Sequence, residues 1–405
     1  MATIPRVAGA AMLTTGGKEP LTVEEVLHGE KVAARLRALV TEAGGWIPFS
    51  RFMQFVLYEP DLGYYSTGRV DFGPEGDFVT APELSSLFAR CLARQIAEIL
   101  ERTGGGGDVV EYGAGSGRMA LDLLAALERQ GALPARYRIV EVSAPLRARQ
   151  QALLGASPAL AARVEWTDAP PAGPWHGVAI ANEVVDALPV DRFCIAGDGC
   201  EALGAAIAGQ AFRFEPRPAD AELAAAVAEL RRRLPQDLPD DYISEWCPSL
   251  PAWVAAAGRA LERGVFLVAD YGLPRSHYYH PSRAGGTLCG FHRHRRAEDL
   301  LARTGLQDLT AWVDFSALAD AAVAAGFTIA GFTTQAHALA ALGVDRELAE
   351  LQRDADERTR YQLAQSAQTL MLPGEMGERF KLIALGRGID GPLTAFQFRD
   401  FSSSL

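Results

Sequence analysis

No run of apolar residues in this 405-residue chain reaches the ~18 that a membrane-spanning helix needs, because glycine, proline or a charge interrupts each one. Insertion into a membrane is therefore not expected. Cysteine is scarce: Cys91, Cys194, Cys200, Cys247 and Cys289 are odd in number, scattered and never spaced C-x-x-C. That argues against a disulfide framework and for a reducing, cytoplasmic setting in which each thiol acts as a small hydrophobe. Basic charge is in deficit. Lys plus Arg number 39 against 50 Asp plus Glu, a formal net charge of −11, so nucleic acid, whose binding rests on phosphate neutralisation, is not an expected partner. The short run His292-Arg293-His294-Arg295-Arg296 reads as a solvated loop. A serine nucleophile elbow is missing too, since Ala114 stands two residues before Ser116 where G-x-S-x-G needs glycine.

What is present is an ordinary globular composition, 49% hydrophobic and 22% charged, with length for two to three domains. Residues 1–20 lack periodicity and read as a disordered start without an export signal. Thr22 and Glu25 have capping-box spacing and open a helix of about 20 residues. A shorter apolar segment, Pro48 to Tyr58, follows, then an aromatic and glycine-rich stretch that completes an N-terminal segment over 21–80. The clearest amphipathic helix carries Leu84, Leu87, Phe88, Cys91, Leu92, Ile96, Ile99 and Leu100 on one stripe, with Thr80 and Glu83 as its expected capping box and Pro82 in its first turn.

From residue 108 the pattern alternates strand and helix, the mark of an α/β fold with a mostly parallel sheet. Seven strands are expected at 108–112, 136–142, 162–166, 176–182, 264–270, 327–334 and 379–386. Helices fit at about 117–130, 144–154, 249–261, 314–325 and 347–366. Two connections are too long for simple crossovers. The core over 81–405 should therefore carry insertions at about 187–248 and 272–312, forming a smaller lid or substrate domain.

The segment VVEYGAGSGRMALDLL at 109–124 brings a buried strand to Gly113, Gly115 and Gly117 and leaves as a helix. Glycines let backbone approach a ligand, and the helix start presents free N–H groups. The dinucleotide fingerprint G-x-G-x-x-G is incomplete, since Arg118 occupies its third glycine position. With Glu111 before the turn, the loop resembles the cofactor loop of class I S-adenosylmethionine methyltransferases. The next strand ends in Glu141, about 30 residues on, where a carboxylate can accept hydrogen bonds from ribose hydroxyls. Glu141 fits NAD equally well. Trp166 and Asp168, after the third strand, stand where an adenine ring would reach.

Five segments in order give a more specific resemblance: GDFVTAPELSSLFA at 76–89, EYGAGSGRMALDLL at 111–124, VEVSAPLRARQ at 140–150, ANEVVDALPVDRF at 181–193 and DLTAWVDFSAL at 308–318. Together they resemble the MidA or DUF185 family of S-adenosylmethionine-dependent methyltransferases. Trp312 departs from it, standing where the family usually has His. The resemblance implies a class I, Rossmann-like fold with helices on both faces, S-adenosylmethionine as cofactor, and methylation of an arginine on a protein acceptor, for which a respiratory complex I subunit is the model. It implies a cofactor site from Thr80, Pro82, Glu111, Gly113, Gly115, Gly117, Glu141, Val142, Ser143, Trp166, Asp168, Asn182 and Glu183. Asn182 and Glu183 close the fourth strand beside the reacting methyl, and Glu183, assisted by Asp186 or Asp270, is the expected guanidinium-orienting carboxylate.

A metal site from His277, His280, His292 and His294 with Asp299 is not expected, because the spacing lacks a ligand pattern and methyl transfer to nitrogen needs no metal. A non-catalytic, cofactor-binding assembly factor and an NAD-linked oxidoreductase are the competing readings. Homo-oligomerisation is left open.

Overall fold

The computed structural model describes residues 21–68, 80–293 and 295–405. The disordered start expected over 1–20, the glycine-rich stretch 69–79 and His294 lie outside the described residues.

All seven expected strands form one sheet: β1 (Asp108–Tyr112), β2 (Tyr137–Val140), β3 (Val164–Thr167), β4 (Trp175–Asn182), β5 (Leu261–Leu273), β6 (Thr328–Thr334) and β7 (Phe380–Arg387), in the order β6-β7-β5-β4-β1-β2-β3. The run from β5 to β3 is parallel throughout, whereas β7 is antiparallel to both neighbours. A two-residue strand, Val313–Asp314, adds an eighth member beside the end of β5. Every residue of β1 is buried, as expected of a central strand covered on both faces. One face packs on the helices Leu87–Arg102 and Arg118–Arg129 through Ile96, Leu123 and Leu127. The other packs on Leu250–Gly258 and Phe315–Ala324 through Val254, Phe315 and Leu318.

Two helices and one cap differ in kind from the sequence reading. The helix expected from residue 80 is two: Ala81–Leu84 and Leu87–Arg102, separated where Ser85 is fully extended and Ser366 Oγ donates to the Leu84 carbonyl. The expected Thr80–Glu83 capping box does not form, because the Glu83 carboxylate is taken by the Ser116 hydroxyl. The helix expected at 347–366 is also split, into Val344–Gln352 and Glu357–Met371, because Asp356 starts a new helix by accepting from the Thr359 N–H at 2.7 Å. By contrast, the Thr22–Glu25 box does cap Val23–Glu42.

The two long connections hold small sheets. Asp191–Ala196, Gly199–Ala208, Ala211–Pro218 and Ile243–Trp246 form an antiparallel sheet that Trp46–Ile47 joins from the N-terminal segment. Cys289–His292 pairs with Asp308–Thr310 and Arg295–Arg296. A separate apolar core ties these pieces together: Leu36, Phe52, Met53 and Val56 from the first two helices meet Ala205, Phe212, Leu288 and Leu309. This second module therefore borrows from three stretches of chain and sits over the ends of β1, β4 and β5.

Candidate functional site

Above those strand ends lies a cavity of about 1410 Å³, larger than the ~300–1,000 Å³ of an ordinary small-molecule site and roomy enough for two occupants. One half is built by the glycine loop. Gly113, Gly115 and Gly117 all have positive φ, at 63°, 53° and 86°, and Gly117 starts the helix Arg118–Arg129. A Cβ on Gly113 would stand 3.0 Å from Val184 Cγ2, and one on Gly117 about as close to Gln150, so both the conformation and the space require glycine. Glu111, at the end of β1, receives the Tyr137 hydroxyl at 2.6 Å. Burial raises its pKa to about 7, against the opposing pull of that hydrogen bond.

Glu141 follows β2 and is held on two sides, by the Ser143 N–H at 2.9 Å and Gln150 Nε2 at 3.1 Å. Burial still pushes its pKa up. Val142 beside it is 73% exposed, an apolar side chain at the cavity's edge. Ser143 begins the next helix and donates to the Tyr65 carbonyl, linking this half to the second module. Thr80, Pro82, Glu111, Gly113, Gly115, Glu141, Val142, Ser143, Asn182 and Glu183 all line the cavity. Gly117 shapes the loop from behind. Trp166 and Asp168 do not reach it: Trp166 Nε1 donates to Gln150 Oε1 at 3.1 Å, and Asp168 is exposed beyond β3.

Gln150 is the residue that sequence reasoning missed. Wholly buried, it donates from the same Nε2 to the Gly115 carbonyl at 3.0 Å and to Glu141 while Trp166 fixes its oxygen. It is the last residue of the VEVSAPLRARQ segment, seven positions beyond Ser143, and only its helical placement reveals the role.

The other half of the cavity is acidic and aromatic. The chain leaves β4 at Asn182 and bends at Glu183, whose φ of 53° is uncommon for a residue with a side chain. Asn182 Nδ2 donates to Glu183 Oε1 at 3.2 Å, and Asn182 Oδ1 is buried without a partner among the described residues. Burial raises the Glu183 pKa to about 8, helped by the charge of Asp186. Asp186 is raised by burial and by Asp270 and Asp308. Among the described residues no lysine or arginine pairs with Glu183 or Asp186. Facing them, Tyr58 and Tyr65 stack at 5.6 Å, the Tyr65 hydroxyl donates to Asp308 at 2.8 Å, and Tyr271 donates to Asp186. Tyr58 and Tyr65 lie in the N-terminal segment and Asp308 and Thr310 in the DLTAWVDFSAL motif, yet nothing in their spacing brought them to one place.

Asp270 requires a correction. It does not line the cavity and is fully buried; its oxygens accept from the N–H groups of Val185, Asp186 and Tyr271 at 3.0, 3.2 and 2.9 Å. It shapes the turn that carries Glu183 and Asp186 instead of meeting a ligand.

A family model described as "Putative S-adenosyl-L-methionine-dependent methyltransferase" matches residues 91–333, more than half of the chain. The chain belongs to this family of S-adenosylmethionine-dependent methyltransferases. Its cofactor is S-adenosylmethionine. A COG1565 superfamily member from Burkholderia thailandensis, solved bound to S-adenosyl-homocysteine, is 43% identical with a TM-score of 0.90, covering 96% of this chain and 100% of that one. The human mitochondrial protein arginine methyltransferase NDUFAF7 is 30% identical over 84% of this chain and 80% of its own length. The Xenopus laevis relative of the same name is 28% identical over 93% of this chain and 91% of its own.

The donors present fit that cofactor. The glycine loop leaves backbone room, the Glu141 carboxylate is placed to accept from ribose hydroxyls, Val142 offers an apolar surface to a base, and the orphaned Asn182 Oδ1 is a ready acceptor for an ammonium. When bound, S-adenosylmethionine supplies a methyl group already activated on a sulfonium. The protein has to exclude water and align the acceptor. Among the described residues no three His, Cys, Asp or Glu side chains are grouped to share a metal ion; His280 holds Ser282 and His292 lies 3.6 Å from Glu25.

Proposed function

We propose that this methyltransferase acts on an arginine side chain of a protein acceptor. The observation that carries the reading is the acidic, aromatic half of the cavity: Glu183, Asp186 and Asp308 converge beneath Tyr58, Tyr65 and Tyr271. Carboxylates crowded together in a buried site favour a cationic guest, which relieves both burial and mutual repulsion. A guanidinium is planar, presents five donors and packs on aromatic faces, matching this lining better than a compact ammonium does.

In this reading Glu183 and Asp186 grip the guanidinium nitrogens, localise its charge and turn one nitrogen toward the cofactor half. Deprotonation in advance is not required of a group whose pKa lies above about 12; the carboxylates would take the nitrogen's proton as the methyl's bond to sulfur is exchanged for one to nitrogen, with S-adenosylhomocysteine as the leaving thioether. The module built from 21–68, 187–248 and 272–312 serves as the lid over both occupants. The names of the NDUFAF7 relatives support arginine as the target. The family resemblance makes a respiratory complex I subunit the first acceptor to test.

The deciding experiment incubates the purified protein and isotopically labelled S-adenosylmethionine with an extract of cells lacking the gene, and maps the label by mass spectrometry. A methyl on an arginine nitrogen is expected. A label found on lysine, on a hydroxyl or on a small molecule would overturn the reading.

A further inference from the structure

The acidic interior has a basic entrance. Arg283, Arg296 and Arg379 border the cavity on the side of the second module and the start of β7, away from the glycine loop. Arg296 and Arg379 are exposed although they border the cavity, which places them at its opening. Three guanidinium groups at one mouth stand out in a chain of net charge −11. They form a continuous edge. Arg283 lies over the Trp312 ring at 5.1 Å, Trp312 meets Tyr271 edge-on at 6.3 Å, and Tyr271 contacts Phe380, the residue after Arg379. Cys289 and Thr310 pair across the small sheet and bring Arg296 to the same edge. Arg283 Nε is buried and has no hydrogen-bond partner among the described residues. Neither Arg283 nor Arg296 is ion-paired within the described residues.

An isolated arginine side chain would be repelled by such a rim before it reached the carboxylates behind it. A protein segment that carries its own carboxylates beside the arginine meets opposite charge twice, at the mouth and in the interior. We infer that the entrance selects an arginine flanked by Asp or Glu, with Arg283 and Arg296 reading the flanking carboxylates. The inference rests on the arginine reading above and narrows its substrate class. Trp312 contributes by holding the Arg283 guanidinium over its ring at the cavity's edge, where its fork can address a carboxylate.

The test uses short synthetic peptides containing one arginine flanked by Asp, by Ser or by Lys. Each is measured for binding in the presence of S-adenosylhomocysteine and for methyl transfer with S-adenosylmethionine. The Asp-flanked peptide should bind roughly tenfold more tightly than the Ser-flanked one, about 1.4 kcal/mol, with the gap closing at high salt. The difference should appear in KM more than in kcat. Arg296→Glu should abolish the preference or reverse it toward the Lys-flanked peptide, and Arg283→Gln should reduce it, while calorimetric binding of S-adenosylhomocysteine shows that both variants are folded. Equal affinities, a preference for Lys flanks in the unaltered protein, or failure of every peptide to bind overturns the inference. A clear Asp preference in binding, with the methyl found on some other residue, upholds the basic entrance and strikes only at the arginine reading.

Discussion

The backbone N–H of Val185 donates to Asp270 Oδ2 at 3.0 Å, and the same oxygen receives the N–H of Asp186 at 3.2 Å. One buried carboxylate thus fixes the turn that follows the left-handed Glu183. The fifth strand thereby dictates where the fourth strand's functional residues stand. The turn that carries the acidic half is thus held by a carboxylate that does not itself line the cavity.

Asp270→Ala should leave the backbone N–H donors of Val185, Asp186 and Tyr271 without their acceptor at once. Leaving a buried donor unsatisfied costs about 1–3 kcal/mol, and such losses are not additive, so a loss on the order of 3 kcal/mol is expected in chemical denaturation. Asp270→Asn keeps one acceptor oxygen. It should recover part of the stability yet still lower kcat, because Glu183 and Asp186 would no longer be held in one arrangement. Unchanged turnover in both variants would leave Asp270 no part in positioning.

Glu183 titrates high because burial and Asp186 both disfavour its charge, with a pKa of about 8 in the free protein. Two consequences differ in sign. Between the ordinary carboxylate value near 4.5 and about 8, the native state holds a proton that the unfolded chain has lost, so Glu183 makes stability fall as pH rises through that window. Glu183→Gln should flatten that part of the stability profile. Activity runs the other way. The carboxylate form is the one that grips a guanidinium, so kcat/KM should rise with pH and level off above about 8, while kcat should level off at lower pH because the bound cation favours the charged carboxylate. Glu183→Gln should keep calorimetric binding of S-adenosylhomocysteine and lose on the order of a hundredfold in turnover. Full turnover would remove Glu183 from the mechanism.

The central strands β1, β4, β5 and β7 were legible because each is a largely buried apolar run next to a glycine, and the alternation of strand with helix pointed to a mostly parallel sheet. The cofactor half was legible for the same reason: Gly113, Gly115, Glu141 and Ser143 all sit within a few residues of a strand end, where an open α/β sheet places its ligand. Trp166 and Asp168 satisfied that positional rule and still lie outside the cavity, because β3 is the edge strand and Gln150 stands between it and the loop. The acceptor half was far less legible. Tyr65 and Asp308 are 243 residues apart in sequence, and only the folding of the second module brings hydroxyl and carboxylate to 2.8 Å. Asp270 misled for a related reason: a strand-end carboxylate looks the same in sequence whether it faces a ligand or a neighbouring turn.

Gly113→Ala tests the loop directly. At φ 63° a side chain costs about 1–2 kcal/mol, and the new methyl would press on Val184, two residues before Asp186. Stability should fall by that amount. Affinity for S-adenosylhomocysteine should fall further, by an order of magnitude or more, since the loop and the Val184 turn would move apart. A variant with normal affinity and only reduced stability would show that the loop's closeness to the cavity is structural.

Gln150 makes the sharpest test of the cofactor half because it never needs to touch a ligand. Its amide joins Gly115 to Glu141, the two points through which the loop and the second strand address the cavity, and Trp166 holds the amide's other end. Gln150→Ala should weaken S-adenosylhomocysteine binding by roughly tenfold or more, since Glu141 loses its side-chain donor and the half-buried Gly115 carbonyl loses that partner. Trp166→Phe removes only the indole donor and should cost less. If the relay is real, the double variant should lose little beyond Gln150→Ala alone, because the indole then has no amide to hold; coupling of this kind is what a double-mutant cycle measures. Fully additive losses in calorimetry would instead place Trp166 in direct contact with the cofactor and restore it to the site.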